Sequence, residues 1–171
     1  HPHTLVDVAE NPLLAIPGME AGLARVEVAL RESVRSADPF LTEVASHLIT
    51  AGGKRVRPAF ALAAASTSLD DASGEVSDEV VMGAVAVELV HLGSLYHDDV
   101  MDEATTRRNV ESVNAKWGNL QAILAGDFLL ARASEIAAGL GTEVAGLLAA
   151  TIARLCEGQV RELQDAYNVG R

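Results

Sequence analysis

Apolar residues recur every three or four positions along most of this 171-residue chain, and this spacing limits the fold more than any other feature. A period near 3.6 residues places such side chains on one face of an α-helix, whereas a strand requires strict alternation. Only 4% of the residues are aromatic, and alanine and leucine, which favour helices, are abundant. The pattern therefore predicts an all-α fold, an antiparallel bundle whose helices bury their apolar faces together.

Capping and helix-breaking residues divide the chain into six predicted helices within a single domain, residues 1–171. Asp38 and Pro39 are typical of a helix start, as are Pro58, Ser77 and Thr142. The predicted helices span residues 19–34, 39–52, 58–67, 77–102, 112–138 with a bend near Gly118, and 142 onward. The segments between them, 68–74 and 103–109, are polar and are predicted to be loops. Residues 1–17 contain three prolines and are predicted to be an extended lead-in.

The formal net charge of −11 disfavours binding to nucleic acid or to an anionic membrane. The few basic residues are clustered, which favours a small anionic ligand instead. Cys156 is the one cysteine, so no internal disulfide or thiolate metal site can form, and a cytoplasmic location is expected. We expect no signal peptide and no transmembrane segment, because Glu88 and His91 interrupt the most apolar stretch, Val80–Tyr96.

The segment His97–Glu103 ends the fourth predicted helix with a cluster of carboxylates. Asp98 and Asp102 are four residues apart and share a helix face, where like charges repel. A divalent cation would relieve that repulsion, and carboxylate oxygens are ligands that magnesium prefers. The alternative is an acidic helix end that faces water.

Two cationic groups accompany the acidic turn. Arg107 and Arg108 follow it by a few residues, and Gly52–Pro58 carries three cations between two glycines and a predicted helix start. A guanidinium group can donate two parallel hydrogen bonds to phosphate oxygens, and glycines let the backbone approach an anion. The alternatives are an ion pair between Glu103 and Arg107, and a solvated helix end at the glycines.

The two motifs together resemble those of the trans-isoprenyl diphosphate synthase (polyprenyl synthetase) family. Gly52–Pro58 is similar to the GGKRxRP signature of that family, and Asp98–Asp102 followed by the two arginines is similar to its DDxxDxxxxRR motif. His91 and Gly126-Asp127 also match family positions, and we interpret Gly126 and Asp127 as structural. The resemblance covers the chain from about residue 20. It implies a helical bundle of the isoprenoid synthase type and a homodimer.

The resemblance also implies a magnesium-dependent prenyltransferase that condenses isopentenyl diphosphate with an allylic diphosphate. Each matched position then has an implied role. The diphosphate of isopentenyl diphosphate would be held by Lys54, Arg57, His91 and Arg108. Magnesium would be bound by Asp98 and Asp102 with Asp99 in support, and the allylic diphosphate by Arg107. A lone histidine on an apolar helix is more often structural, so the role of His91 depends on the resemblance alone.

Product length is predicted from the residues that precede Asp98. The growing chain would run along the fourth helix toward its N-terminus, past Gly93 and Ser94. In the family a bulky aromatic residue there stops growth early. Two small residues therefore predict an open floor and a geranylgeranyl or longer polyprenyl product.

One family feature is missing from the sequence. No second aspartate-rich motif follows Arg108, and the carboxylates between Glu157 and Asp165 have the wrong spacing. We therefore expect this polypeptide to be a truncated fragment without the C-terminal helices, and to be inactive alone. The alternatives are a non-catalytic regulatory subunit of a heteromeric synthase, a terpene cyclase, and a bundle without a ligand.

Overall fold

The all-α prediction is confirmed by a computed structural model, which describes residues 12–67 and 75–168. A short 3-10 helix, Pro12–Ala15, lies where an extended lead-in was predicted. In the described residues the helices are α1 (Met19–Ser33), α2 (Pro39–Thr50), α3 (Val56–Ser66), α4 (Asp78–Met101), α5 (Val113–Trp117), α6 (Asn119–Leu140) and α7 (Thr142–Asn168). Residues 1–11 of the predicted lead-in and the predicted loop 68–74 lie outside the described residues.

Most predicted helix starts agree with the structure to within two residues. The Asp38 carboxylate caps α2 by accepting a hydrogen bond from the Phe40 amide at 2.9 Å, and the Ser77 hydroxyl caps α4. The bend near Gly118 is a full break between α5 and α6. The third helix begins at Val56 rather than Pro58, because Arg55 adopts a left-handed conformation (φ 47°) at the N-cap. Pro58 thus lies in the first turn, where its missing N–H costs no helical hydrogen bond.

The predicted loop 103–109 instead contains the first strand of a small hairpin. Strand β1 (Thr106–Arg107) pairs with β2 (Val110–Glu111) in antiparallel register. Arg108 and Asn109 join the strands, and both have positive φ, 52° and 63°. Positive φ at both central residues is typical of the tight hairpin turn whose twist matches its strands. The turn therefore directs two neighbouring arginines to different places.

Helix α4 lies at the centre of the bundle, and three of its faces differ in what they contact. Its inner stripe is buried and consists of Val81, Val85, Glu88, Leu92, Tyr96 and Asp99. The Tyr96 hydroxyl lies 2.8 Å from the Val44 carbonyl of α2 and donates to it. By length and composition α4 could also cross a membrane, but 56% of its most apolar window is buried inside the fold. A core helix of a folded domain has the same properties.

A second face of α4, the α6 stripe (Leu89, Gly93, His97), packs against α6. An added Cβ on Gly93 would lie only 3.0 Å from the Gly126 carbonyl oxygen. His97 Nε2 lies 3.1 Å from the Ile123 carbonyl and 3.3 Å from Asp127 Oδ1. Gly126 has no room for a side chain because that ring occupies the space. Gly126 and Asp127 therefore hold α4 and α6 together.

Candidate active site

The cationic loop Gly52–Arg57 and the arginine hairpin are joined by direct hydrogen bonds. Arg108 Nη1 donates to the Leu48 carbonyl at 3.1 Å and to the Gly52 carbonyl, 56 residues away in sequence. Arg107, at the end of β1, binds Asp99 of the acidic turn. The cationic loop, the arginine hairpin and the acidic turn therefore lie at one end of the bundle. The convergence that the sequence predicted is therefore present.

A buried carboxylate, Glu88, lies between two guanidinium groups at this end. Its Oε1 accepts a hydrogen bond from Arg55 Nη1 at 3.2 Å and lies 3.8 Å from Arg108 Nη2. Burial raises the pKa of Glu88, while Arg55 and Arg108 lower it. Arg55 is 7% exposed and also binds Glu27. The middle cation of the loop therefore holds the fold together and does not face solvent.

Asp99 and Arg107 form an ion pair, in place of the pair between Glu103 and Arg107 that the sequence offered as an alternative. Arg107 Nε and Nη2 lie 2.9 and 2.5 Å from Asp99 Oδ1, so Glu103 is not the partner. Asp99 lies on the inner stripe and is 1% exposed. The hydrogen bond to Asp99 raises the pKa of Arg107. Asp99 therefore anchors the hairpin, and two of the five N–H groups of Arg107 are directed away from solvent.

Asp98 and Asp102 lie one turn apart at the C-terminal end of α4. Burial raises the pKa of Asp98, and the carboxylate of Asp102 raises it further. Gln159 of α7 donates to Asp98 Oδ1 at 2.8 Å, and Glu162, one turn later, also raises the Asp98 pKa. The positive charge of Arg107 offsets part of this effect. The remaining negative charge on hard oxygen donors fits a divalent cation.

The described residues nevertheless do not bring together three carboxylate, histidine or cysteine side chains in a group that could hold a metal ion. The physical reason is that Asp99 points to the inner stripe and is bound by Arg107. Among the described residues, the carboxylates placed to hold a cation at this turn are therefore Asp98 and Asp102, and magnesium usually also takes oxygens from a substrate phosphate or from water.

A cavity of about 490 Å³ opens beside the acidic turn, between α3, α4 and α7. The face of α4 that borders it, the cavity stripe, includes Val80, Gly83, Ala84, Val87, His91 and Ser94, and the same spacing leads to Asp98. Arg57 and His91 are the polar residues at one end of a wall that is otherwise made of small and aliphatic side chains. The opposite wall is formed by α7 with Val144, Leu147, Leu148, Thr151 and Leu155.

The two residues predicted to form the cavity floor lie on different faces of α4. Ser94 lines the cavity, and its role in setting product length stays a prediction. Gly93 does not border it, because the position of its Cβ points at α6, 3.2 Å from Leu130 Cγ. The prediction for Gly93 is therefore corrected: its small size allows two helices to approach and leaves no space for a ligand.

The remaining predicted ligand residues lie at the rim of the cavity or near it. Lys54 and Arg57 are exposed on the loop and the first turn of α3. His91 is partly buried, and burial together with the positive charge of Arg57 and Arg108 lowers its pKa to about 4. His91 is therefore neutral at pH 7 and can donate or accept a hydrogen bond without adding charge.

Two residues of this site were missed by sequence reasoning, Glu88 and Gln159. Glu88 is the one ionised side chain within Val80–Tyr96, and its spacing from Tyr96 and Asp99 places it on a buried stripe, which is a detectable signal. Gln159 offers no such signal, because its contact with Asp98 depends on how α7 packs in the bundle.

Comparison with known proteins identifies the family to which this chain is similar. The family model described as polyprenyl synthetase matches residues 38–170. Nonaprenyl diphosphate synthase of Mycobacterium tuberculosis is 48% identical over 144 residues, which are 84% of this chain and 42% of that protein. Heptaprenyl diphosphate synthase component 2 of Geobacillus stearothermophilus is 43% identical over 146 residues, 85% of this chain and 44% of that protein.

A solved structure leads to the same family. The polyprenyl synthase of Caulobacter crescentus, complexed with calcium and isoprenyl diphosphate, aligns with a TM-score of 0.79 and 33% identity over 95% of this chain and 47% of that one. The chain thus spans less than half the length of each of these relatives. Because the family match covers most of its residues, the chain belongs to the polyprenyl synthetase family.

Proposed function

We propose that the protein carrying this chain is a magnesium-dependent trans-prenyltransferase that condenses isopentenyl diphosphate with an allylic diphosphate. The observation that carries the proposal is the meeting of the cationic loop, the arginine hairpin and the acidic turn beside an apolar cavity. Cations at one end of the cavity suit a diphosphate, and the aliphatic wall suits an isoprenoid tail. The Caulobacter relative binds calcium and isoprenyl diphosphate, which supports the proposal.

In this proposal each charged group of the chain has a defined task. Lys54, Arg57, His91 and Arg108 bind the diphosphate of isopentenyl diphosphate, and Arg107 contacts the allylic diphosphate. Asp98 and Asp102 hold the magnesium ion, which when bound neutralises charge on the departing diphosphate. Asp99 supports them indirectly, because it fixes Arg107.

The walls of the cavity then have a chemical task as well. Ionisation of the allylic diphosphate leaves a carbon with cationic character, which the double bond of the second substrate attacks before a proton is lost. Aliphatic side chains keep water from that carbon, and two fixed diphosphate sites bring the reacting carbons together. The long cavity stripe favours a geranylgeranyl or longer product.

The test is the conversion of labelled isopentenyl diphosphate by the intact gene product with an allylic primer, with and without magnesium. Replacing both Asp98 and Asp102 by Asn should lower turnover at least about 100-fold, the usual scale for removing transition-state charge stabilisation. The matched control is Glu135→Gln, which removes a carboxylate of α6 that pairs with Arg132. Elongation that needs no magnesium, or that survives the double substitution, would contradict the proposal.

A second candidate is one subunit of a heteromeric synthase, which is favoured by the relative named heptaprenyl diphosphate synthase component 2. The two candidates differ in whether the purified protein elongates isopentenyl diphosphate without a second polypeptide. For the first candidate we also propose a homodimer, because α6 exposes Leu120 and Leu124 at 77% and 61%. Such apolar patches are typical of subunit interfaces.

A further inference from the structure

Arg55 and Arg108 are the two guanidinium groups bound by Glu88, and they differ in how many hydrogen bonds they can still make. All five N–H groups of Arg55 have acceptors: both oxygens of Glu27, Glu88 Oε1, and the carbonyls of Ile49 and Gly52. Arg55 therefore has no donor left for a ligand. Its sequence position between Lys54 and Arg57 gives no hint of this difference.

Arg108 retains donors that a ligand can use. Its Nη1 donates to the Leu48 and Gly52 carbonyls, and within the described residues its Nε and Nη2 make no hydrogen bond. Glu88 Oε1 lies 3.8 Å from Nη2, close enough for charge attraction but beyond hydrogen-bond distance. The side chain of Arg108 is 18% exposed, so these donors can reach an anion at the site.

The two guanidinium groups lie beside the same glycine. A Cβ placed on Gly53 would lie 2.7 Å from Arg55 Nη1 and 2.8 Å from Arg108 Nη1, so both cations flank this glycine. Like charges this close to one glycine repel, and Glu88 is a carboxylate that forms ion pairs with both. Glu27 pairs with Arg55 and, at 4.0 Å, with Arg31 on its own helix.

From this geometry we propose that Glu88 is a positioning residue. It fixes Arg108 so that Nε and Nη2 of Arg108 are directed to the diphosphate of isopentenyl diphosphate. Glu88 itself touches no substrate. It acts by offsetting the repulsion between Arg55 and Arg108 from a buried position on α4, 3.2 Å from Arg55 and 3.8 Å from Arg108. This inference depends on the proposed function, since it assigns Arg108 to one of the two diphosphate sites.

The experiment is calorimetric titration of the intact gene product with isopentenyl diphosphate, and separately with a non-reactive allylic diphosphate analogue plus magnesium. Glu88→Gln keeps the shape but removes the charge, so Arg108 moves away from Arg55. We expect the dissociation constant for isopentenyl diphosphate to rise about tenfold, the effect of losing about 1.4 kcal/mol. The dissociation constant for the allylic analogue should stay within about twofold.

The matched control is Glu27→Gln, which removes the other carboxylate on Arg55 without touching Arg108. It should lower the melting temperature while leaving both dissociation constants unchanged. Glu88→Asp keeps the charge but withdraws it by one methylene. It serves where the Gln variant does not fold, and should weaken binding of isopentenyl diphosphate about threefold.

The outcomes separate this inference from the function on which it depends. If wild-type protein binds isopentenyl diphosphate and the Glu88 variants bind it equally or more tightly, Glu88 does not position Arg108. Equal weakening by Glu27→Gln would also overturn the inference, because the effect would then pass through Arg55 alone. If wild-type protein fails to bind either diphosphate, the proposed function itself is wrong.

Discussion

Gly93 and Ser94 are neighbours on α4, yet their small size serves opposite purposes. Gly93 belongs to the α6 stripe, where a Cβ would press on the Gly126 carbonyl at 3.0 Å. Ser94 belongs to the cavity stripe, where its small side chain leaves space beside Arg57 and His91. On a single helix, therefore, a small residue marks close packing on one face and an open volume on another.

The comparison shows which angular rule separates the two cases. Successive residues of an α-helix are about 100° apart, so Ser94 lies about 40° from Asp98 and Gly93 about 140° from it. The same rule separates Asp98 and Asp102, on the cavity stripe, from Asp99, on the buried inner stripe. Distance from the motif in sequence is therefore a poorer guide to the cavity than position around the helix.

The largest effect should come from filling the tight face. Gly93→Phe would force α4 and α6 apart, because Gly126 backbone and Leu130 occupy the space. We expect a loss of more than about 3 kcal/mol in the free energy of unfolding, beyond the usual cost of overpacking. Urea denaturation measures it, and Ser94→Phe is the matched control, expected to cost about 1 kcal/mol or less. A stable Gly93→Phe protein would mean that α4 and α6 are not closely packed.

The open face should respond in product length rather than in stability. Ser94 lies about 6 Å along the helix from Asp98, and Gly83, deeper in the cavity, about 22 Å from it. If the proposed function holds, Ser94→Phe should shift the product to a short chain, and Gly83→Phe should remove only the longest products. Mass spectrometry of the dephosphorylated products measures both.

A serine-specific effect can be distinguished from a change in volume. Ser94 Oγ donates to the His91 carbonyl at 2.7 Å within the helix, and Ser94→Ala removes that bond without filling space. We expect the products of Ser94→Ala to match those of the wild type.

If Ser94→Phe and Gly83→Phe gave products of equal length, this would contradict a cavity that runs along α4 from Ser94 to Gly83.

Local chemistry explains why much of this architecture could be predicted from sequence. Asp38 and Ser77 cap helices through their own side chains, and Gly118 breaks one, so these boundaries need no tertiary information. Each basic motif could likewise be recognised from its few consecutive residues, whereas their expected convergence came from the family resemblance.

The pairings within the site could not be predicted in this way. Arg107 binds Asp99 and Arg108 binds Gly52 because a two-residue turn at Arg108-Asn109 separates the two side chains. This turn contains no glycine, so the sequence carries no clear signal for it. Gln159 reaches Asp98 only through the packing of α7. Such contacts join residues 56 or 61 positions apart, beyond the range of any local pattern.

The smallest effect should appear at the charged end of the cavity stripe, where burial and nearby arginines lower the pKa of His91 to about 4. An unfolded chain binds a proton there below pH 6.5, whereas the folded chain does not until about pH 4. The unfolded state therefore binds more protons in this window, and stability is lost as the pH falls from 6.5 to 4. His91→Gln should remove this loss, about 1–2 kcal/mol after allowance for partial exposure. Urea denaturation of both proteins measures the difference.

Glu88 and Asp98 change the stability with pH in the opposite direction, because their pKa values are raised. Both proteins carry these two residues, so their contributions cancel in the difference between the proteins. If the difference in free energy of unfolding between the two proteins did not change with pH, His91 would be as well solvated as a surface histidine. The contrast between the faces of α4 would then end before His91.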